Sequence, residues 1–253
     1  MSHRKYQPVS SLDAAAHRAM VRDIFATITG TYDFLNRLFS LRRDVAWRRA
    51  AAEKGWFGKT NRYLDVATGT GDLALAVAGR HEGVSVTAVD FVGEMLDEAS
   101  EKIRRKDLES RIVLVQADAM ALPFCEGAFD TAGIAFGIRN MPDRPGALRE
   151  IGRVLSPGGR ILILEMHFPS AAIFRKIYGF YLGRVLPRMA RSFSRNPEAY
   201  HYLADSIMHF PSPSRFSRIL EDAGFSGVEC HCLTCGITCL YTAVKDRQST
   251  ATD

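Results

Sequence analysis

A glycine-rich turn between an apolar strand and a helix is the part of this sequence best suited to chemistry. Residues 63–74 read Tyr-Leu-Asp-Val-Ala-Thr-Gly-Thr-Gly-Asp-Leu-Ala, so that Gly69, Thr70 and Gly71 follow the strand directly. Glycines at such a turn permit positive φ and let a ligand approach the backbone closely. Asp72, at the start of the following helix, is expected to cap that helix. The turn therefore predicts a pocket for a nucleotide-like ligand.

A second apolar run, over residues 84–90, ends in an acid, Asp90. Its distance from the glycine turn is close to the roughly 20 residues that separate these two features in a βαβ nucleotide-binding unit. An ionised carboxylate only accepts hydrogen bonds, so Asp90 suits the two vicinal hydroxyls of a ribose. Because the spacing Gly69-x-Gly71-x-x-Ala74 also matches the dinucleotide fingerprint, these residues alone leave both a nicotinamide dinucleotide and S-adenosylmethionine open.

Two more acids favour S-adenosylmethionine. Asp65 lies on the strand just before the turn, where its charge would oppose a pyrophosphate but could bind a cationic amino-acid end, directly or through water. Residues 112–124 predict a third strand that ends at Asp118 and is followed by the small residue Ala119. The alternative interpretation is a parallel sheet whose strand-end acids are incidental.

An acid after each of three successive strands resembles the S-adenosylmethionine-dependent methyltransferases with a Rossmann-like sheet. The resemblance implies an α/β fold with a doubly wound, mostly parallel sheet, and S-adenosylmethionine as the cofactor. The residues expected to bind that cofactor are Asp65, Gly69, Thr70, Gly71, Asp90, Asp118 and Ala119.

Narrower motifs further along the chain resemble those of the quinone C-methyltransferases that make ubiquinone and menaquinone. They are Phe-Gly-Ile-Arg-Asn at residues 136–140, Tyr-Asp-Phe-Leu-Asn at 32–36, and Ala-Tyr-His-Tyr-Leu-Ala-Asp-Ser-Ile at 199–207. The similarity extends from about residue 21 to about residue 245. Four segments depart from the family pattern and leave the acceptor open, namely residues 41–46, Ala135, residues 165–167 and residues 239–241.

The resemblance implies that Arg139 and Tyr32 lie beside the acceptor. A quinol ring carbon becomes nucleophilic as its neighbouring hydroxyl loses a proton, so the Arg139 cation would stabilise the phenolate, with an ordered water relaying the proton. Tyr32 would orient the ring. The alternatives are an ion pair between Arg139 and Asp143 and a packing role for Tyr32. The further residues expected to contact the substrate are Asn36, Asn140 and Tyr200.

The function that the resemblance implies is C-methylation of a prenylated quinol with S-adenosylmethionine. Demethylmenaquinol is the first expectation for the acceptor, and a ubiquinone precursor is the second. Two other functions stay open, a methyltransferase acting on a different small molecule and a non-catalytic, S-adenosylmethionine-binding scaffold of a quinone-synthesis complex. The expected partner is the prenylated quinol, and a homodimer is left open.

The composition is compatible with this function and excludes few others. The chain has 253 residues, of which 47% are hydrophobic, enough for one sizeable core. A net charge of +5 would permit nucleic acid as a partner, but the sequence has neither a polybasic tract nor a zinc-finger spacing, so no nucleic acid is expected. Without a secretory signal or an apolar run of membrane-spanning length, a cytoplasmic location is expected, with membrane association left open.

Hydrophobic periodicity divides the chain into three parts. Apolar residues at helical spacing predict an N-terminal helical lid over residues 1–60. Alternating strands and helices predict the methyltransferase domain over residues 61–245, with a helical insertion at 168–211 that covers the active site. Polar residues 246–253 are expected to form a disordered tail.

The insertion has several cations beside apolar residues, most densely over residues 173–191. Interfacial helices that lie on a membrane show this pattern, and a prenylated quinol would have to be drawn from a membrane. Amphipathic helices that face a protein core also show it. Peripheral membrane contact and a core-facing helix with a solvated basic edge therefore both stay open.

Four of the five cysteines lie within residues 230–239. A metal site needs converging thiolates, and the spacing offers a tight pair only between Cys232 and Cys235. The favoured interpretation is that residues 228–233 and 237–244 form the last two strands, with Cys230 and Cys232 on one face as small hydrophobic residues. No metal is therefore expected.

Overall fold

The sheet of this protein has seven strands in the described part of the chain. The computed structural model describes residues 13–57, 60–193, 196 and 198–246. The strands are β1 (Arg62–Val66), β2 (Ser85–Asp90), β3 (Ile112–Gln116), β4 (Phe129–Ala135), β5 (Leu155–Met166), β6 (Phe225–Leu233) and β7 (Thr238–Lys245). Their order across the sheet is β3-β2-β1-β4-β5-β7-β6.

Strands β1 to β5 run parallel, whereas β7 is antiparallel to β5 and β6 is antiparallel to β7. The carboxyl ends of the parallel strands meet at one edge, and the order reverses on either side of β1, which is where doubly wound sheets bind ligands. The predicted doubly wound, mostly parallel α/β fold is confirmed.

Nine α-helices connect and cover the strands among the described residues. They are α1 (Ala14–Phe39), α2 (Arg43–Glu53), α3 (Asp72–Arg80), α4 (Gly93–Arg104), α5 (Arg144–Val154), α6 (Ala172–Phe180), α7 (Leu186–Phe193), α8 (Glu198–Met208) and α9 (Pro213–Asp222). Two of them, α1 and α2, precede β1, and three, α6, α7 and α8, lie between β5 and α9, whereas the division into a lid, a methyltransferase domain and an insertion stays a prediction. The predicted tail lies outside the described residues except for Asp246, and the boundaries of the proposed lid stay a prediction.

Helix α1 covers the carboxyl edge of the sheet and packs on the insertion. Asp13 caps it, because its side chain accepts a hydrogen bond from the Ala16 backbone N–H at 2.7 Å. Its buried face forms one apolar cluster with the insertion helices, and the members from α1 are Val21, Ile24, Ile28 and Leu35. Burial of this stripe holds the N-terminal helix over the site.

The insertion divides into a buried part and an exposed part. Leu182 and Leu186 are buried against α1, as a core-facing helix requires. In α6, by contrast, Ile173, Ile177 and Phe180 are 66%, 61% and 59% exposed. The second half of the basic segment therefore faces the core, whereas α6 buries Tyr178 in the same cluster and leaves its other large apolar residues exposed.

Candidate active site

A pocket opens at the carboxyl ends of β1 to β4, beneath α1. Its lining includes Asp65 near the end of β1, Asp90 at the end of β2 and Asp118 just after β3, so acids at the carboxyl ends of three strands line one cavity. Tyr32 from α1 and Asn140 from the turn after β4 line it as well. The sheet order brings these residues together, because each lies where a strand ends or where the covering helix crosses those ends.

The glycine turn has the conformation that its composition predicts. Gly69 and Gly71 have φ of 56° and 80°, and a Cβ on Gly71 would lie 3.3 Å from the Ala99 Cβ. Side chains other than hydrogen are therefore disfavoured at Gly71 by both conformation and space. Thr70 is buried and donates a hydrogen bond to Asp33 of α1 at 2.6 Å, which ties the turn to the covering helix.

Asp65, and not Asp72, caps the helix that follows the turn. The N-cap position of α3 is Gly71, and the Asp72 side chain makes no capping bond. Instead, Asp65 Oδ2 accepts from the Ala74 backbone N–H at 3.0 Å and from the Thr68 hydroxyl. The expected cap at Asp72 was wrong because its carboxylate is drawn away to Lys102, with which it forms an ion pair.

Asp65 also presents an unsatisfied acceptor to the pocket. Its Oδ1 is buried and has no hydrogen-bond partner among the described residues. Burial raises the pKa of Asp65 to about 7, and the hydrogen bonds from Thr68 and Ala74 only partly offset this rise. A buried, unpaired carboxylate oxygen is costly unless a donor completes it, so Asp65 fits the ammonium of S-adenosylmethionine.

Asp90 accepts hydrogen bonds from the backbone and can still accept those of ribose hydroxyls. Its Oδ2 accepts from the Gly69 N–H at 2.8 Å and its Oδ1 from the Val92 N–H at 3.0 Å. Each carboxylate oxygen has a second lone pair, so two hydroxyls can still be accepted. Asp90 therefore both braces the glycine turn and remains suited to the predicted role.

Asp118 pairs with Arg18 across the mouth of the pocket. Arg18 Nη1 lies 3.0 Å from Asp118 Oδ2, and the other carboxylate oxygen accepts from the Met120 N–H at 2.9 Å. Ala119 lines the pocket beside them, as expected. The sequence analysis did not find Arg18; a cation on the pocket side of a predicted covering helix was the available signal.

Arg139 is buried and forms an ion pair with Glu165 at the end of β5. Its Nη1 lies 2.8 Å from Glu165 Oε1, and its backbone N–H donates to Oε2 at 3.1 Å. Burial opposes the guanidinium charge, but the charges of Glu165 and two neighbouring tyrosines raise the pKa of Arg139 above its ordinary value. Asp143 instead caps α5 by accepting from the Gly146 N–H, so the alternative pairing of Arg139 with Asp143 is wrong.

The guanidinium of Arg139 does not line the pocket, although Gly137 and Asn140 beside it in sequence do. Tyr32 does line it and lies close enough for the charges of Arg139 and Arg48 to lower its pKa. Burial has the larger effect and leaves the pKa of Tyr32 raised, so the hydroxyl remains a hydrogen-bond donor at neutral pH. The expected contact between Arg139 and the acceptor stays a prediction.

The other expected substrate residues are divided between the pocket and its surroundings. Asn140 lines the pocket, and its Oδ1 accepts from the Tyr202 hydroxyl at 2.9 Å. The Asn36 side chain is a hydrogen-bond partner of Tyr32 and is not among the lining residues. Tyr200 is buried and packs edge-on against Phe39, with 5.2 Å between ring centroids, and is not among the lining residues. Tyr202, which the sequence analysis missed, is the tyrosine of α8 that reaches the Asn140 side chain.

A group of charged residues fastens the two N-terminal helices to the glycine turn. Lys102 Nζ lies 2.7 Å from Asp33 of α1 and also contacts Asp72 and Thr70. Arg48 of α2 lies 2.7 Å from Asp44 and 3.7 Å from Asp72. The pairs of Lys102 with Asp33 and of Arg48 with Asp72 therefore link α1 to α4 and α2 to the start of α3.

The cysteine segment forms the two predicted strands, but with a different close pair. Cys230 and Cys232 lie on the same face of β6, as expected from strand alternation. Cys232 lies opposite Cys239 of β7, with 2.9 Å between the two sulfurs. The tight spacing of Cys232 and Cys235 is therefore not the close pair, because the hairpin register places Cys239 opposite Cys232.

Comparisons with known proteins show the family to which this chain belongs. The model of the ubiE/COQ5 methyltransferase family matches residues 13–245. A ubiquinone/menaquinone biosynthesis C-methyltransferase of Geotalea daltonii is 43% identical, over 89% of this chain and 96% of the relative. A demethylmenaquinone methyltransferase of Thermus thermophilus is also 43% identical, over 88% of this chain and 100% of the relative.

Solved structures show the same fold at lower sequence identity. An S-adenosylmethionine-dependent methyltransferase of Methanococcus maripaludis, described as putative by its authors, is 21% identical with a TM-score of 0.61, over 99% of both chains. With a family model that matches nearly the whole described chain and two relatives at 43% identity, this chain belongs to the ubiE/COQ5 methyltransferase family.

Proposed function

We propose that this protein methylates a ring carbon of a prenylated quinol with S-adenosylmethionine, with demethylmenaquinol as the first acceptor and a ubiquinone precursor as the second. The observation that carries the proposal is the single pocket in which three strand-end acids meet Tyr32 and Asn140 of the quinone-methyltransferase motifs. Relatives named for ubiquinone and menaquinone biosynthesis support the same substrate class.

Each of the three acids would bind a different part of the cofactor. Asp65 would receive the ammonium, Asp90 the ribose hydroxyls and Asp118 a donor on the base, since each carboxylate only accepts hydrogen bonds. When bound, S-adenosylmethionine supplies an electrophilic methyl group on a sulfonium. The positive φ at Gly69 and Gly71 lets the backbone approach the ligand without a side chain between them.

The chain's own contribution is alignment, exclusion of water and stabilisation of a developing phenolate. Holding two reactants in line is worth roughly 7–11 kcal/mol in favourable cases. Helix α1 covers part of the pocket, and its Tyr32 hydroxyl, which lines it, would donate to the acceptor. The Arg139 guanidinium, fixed by Glu165, acts as a positioning residue that biases Tyr32 towards donating to a negative oxygen.

Membrane contact through α6 belongs to the same proposal. The exposed residues Ile173, Ile177 and Phe180 lie at helical spacing i, i+4 and i+7, so they form one apolar stripe. Arg175 and Lys176 are exposed on the same helix. An apolar stripe with adjacent cations is complementary to an anionic bilayer, in which the prenyl chain of the substrate would reside. No helix among the described residues is long and apolar enough to cross a bilayer.

The test of the function is transfer of a radiolabelled methyl group to quinol acceptors. The proposal expects turnover on demethylmenaquinol, with a ubiquinone precursor as the second acceptor, and little on small phenols that lack the prenyl chain. Cofactor binding without turnover on any quinol would contradict it and support a non-catalytic scaffold. Turnover confined to a different small molecule would support the other alternative.

A further inference from the structure

Three thiols converge where β6 and β7 pair at the edge of the sheet. The sulfurs of Cys230, Cys232 and Cys239 all lie within 4.8 Å of one another. Cys230 and Cys232 are two residues apart on β6, and Cys239 lies directly opposite Cys232 on β7. Alternate residues of a strand share a face, and opposed residues of an antiparallel pair point to the same side. The pairing register of β6 with β7 therefore brings the three sulfurs together, and a shift of that register by one residue would separate them.

One thiol of the cluster is buried and another is open to solvent. Cys239 is fully buried, whereas Cys232 is exposed to solvent. Tetrahedral ligands at a Zn–S distance of about 2.3 Å stand about 3.8 Å apart. The sulfurs lie within 4.8 Å of one another, so an ion fits once side-chain rotation separates Cys232 from Cys239, whose sulfurs are 2.9 Å apart.

We propose that Cys230, Cys232 and Cys239 bind one thiophilic divalent cation of the zinc type, which fastens β6 to β7. Three thiolates favour a soft or borderline ion over magnesium or calcium, which take oxygen ligands. A three-thiolate set leaves the fourth coordination position facing solvent, available to water. This inference goes beyond the proposed function and does not depend on it.

The proposal reverses the expectation of a metal-free cysteine segment. That expectation rested on strand alternation, with Cys230 and Cys232 as small hydrophobic residues, and on a tight pair that the spacing offers only between Cys232 and Cys235. The hairpin instead assembles a set that includes Cys239, seven residues from Cys232. Cys239 is also the register partner of Glu165 on β5, so the cluster lies one strand away from the residue that holds Arg139.

The test uses the full chain, kept reduced with a phosphine that does not supply thiols. After removal of metal by a chelator, the protein is incubated with zinc, desalted and analysed for metal content. We expect about one zinc per chain, and a rise in Tm when zinc is added. Cys232→Ser should lose the zinc, and because Cys232 is exposed this variant should fold.

Cys235→Ser is the matched control, since its thiol belongs to the same hairpin turn but lies outside the cluster. This variant should retain zinc as the wild type does. Cobalt added in place of zinc should give thiolate-to-metal charge-transfer absorption in the wild type and in Cys235→Ser, and none in Cys232→Ser. Absence of retained zinc in fully reduced wild-type protein, or equal retention in Cys232→Ser, would overturn the proposal. So would a loss of zinc in Cys235→Ser as complete as that in Cys232→Ser.

Discussion

Glu165 accepts two hydrogen bonds from Arg139, one from the backbone N–H and one from the guanidinium. The pair is almost completely buried, with the Arg139 side chain 5% exposed and that of Glu165 fully enclosed. Such an arrangement fixes the orientation of the guanidinium, because both carboxylate oxygens hold the same residue. The charge beside Tyr32 is therefore held in a constant position.

Loss of Arg139 should affect turnover more than cofactor binding. If its charge supports the donor that stabilises the phenolate, turnover should fall by roughly 10²–10³, the range for losing one oxyanion donor, with unchanged affinity for S-adenosylmethionine. Arg139→Lys should recover only part of the rate, since a point charge cannot reproduce the planar guanidinium. Calorimetry and single-turnover kinetics on these variants separate binding from chemistry.

Arg139→Ala alone would leave Glu165 buried without its counterion, which costs about 3–5 kcal/mol of folding stability. The double variant Arg139→Ala/Glu165→Gln removes both charges and should regain much of the lost Tm while turnover stays low. Normal turnover in the folded double variant would rule out a role for the Arg139 charge. Asp143→Ala, which removes only the cap of α5, is the control and should keep its turnover per folded molecule.

Asp90→Ala should weaken S-adenosylmethionine binding by at least about tenfold, because hydrogen bonds to a charged group are worth roughly 1.5–3 kcal/mol each. Calorimetry on the folded variant measures this, with Asp97→Ala as control, since Asp97 is an exposed acid on α4. Unchanged affinity in Asp90→Ala would remove Asp90 from the cofactor site. Saturable micromolar binding of NAD would reopen the dinucleotide interpretation.

Cofactor affinity should depend on pH through Asp65. Burial raises the pKa of this carboxyl to about 7, so it is largely protonated below that pH and cannot attract an ammonium well. A bound cation favours the ionised form, so affinity should increase as pH rises from about 6 to about 7.5 and the cofactor's binding should release protons. Titrations in buffers of different ionisation enthalpy detect the release.

Asp65→Asn is the comparison for that pH dependence, because it keeps the shape of the side chain and has no proton to lose. Its affinity should be lower at pH 7.5 and nearly independent of pH over the same range. A wild-type affinity that stays constant between about pH 6 and about pH 7.5 would contradict the assignment of Asp65 to the ammonium.

Charge placed on α6 should reduce membrane binding without damaging the site. Burying an Ile or Phe side chain is worth about 1.5–3 kcal/mol, so Ile177→Glu or Phe180→Glu should weaken binding to anionic vesicles at least about tenfold. Turnover on a short-chain, water-soluble quinol should be unchanged. Vesicle co-sedimentation measures the binding, and Val113→Glu is the control because Val113 is 59% exposed on β3.

Equal sedimentation of all variants, or none for the wild type, would contradict membrane docking by α6. A wild-type dimer in gel filtration that Ile177→Glu converts to a monomer would show that a second copy covers the stripe instead. The same experiment therefore distinguishes a bilayer from self-association.

The fold and the cofactor side of the site could be predicted from the sequence because their determinants are local. Apolar runs in the sequence predicted the strands. The glycine turn required positive φ at Gly69 and Gly71, and both residues have it in the structure. Acids at or just after the carboxyl ends of β1, β2 and β3 must meet at one edge of a parallel sheet, whatever the details of packing. Asp65, Asp90 and Asp118 were therefore brought together by the topology alone.

Only the tertiary structure decided which side chains pair with one another. The partner of Arg139 is Glu165, 26 residues away on β5, and not Asp143, four residues away, because a helix cap already uses the Asp143 carboxylate. Nearness in sequence was a poor guide here, since the side chains of a turn point in directions that the surrounding sheet determines.

The same reason applies to the cap of α3 and to the cysteine cluster. Asp65 rather than Asp72 reaches the helix N-terminus, because Asp72 is turned towards Lys102. Cys232 meets Cys239 rather than Cys235, because the hairpin register sets which residues oppose one another. The sequence by itself determined the elements and the chemistry that each carries, whereas register and the crossing of α1 over the sheet determined which of those groups come into contact.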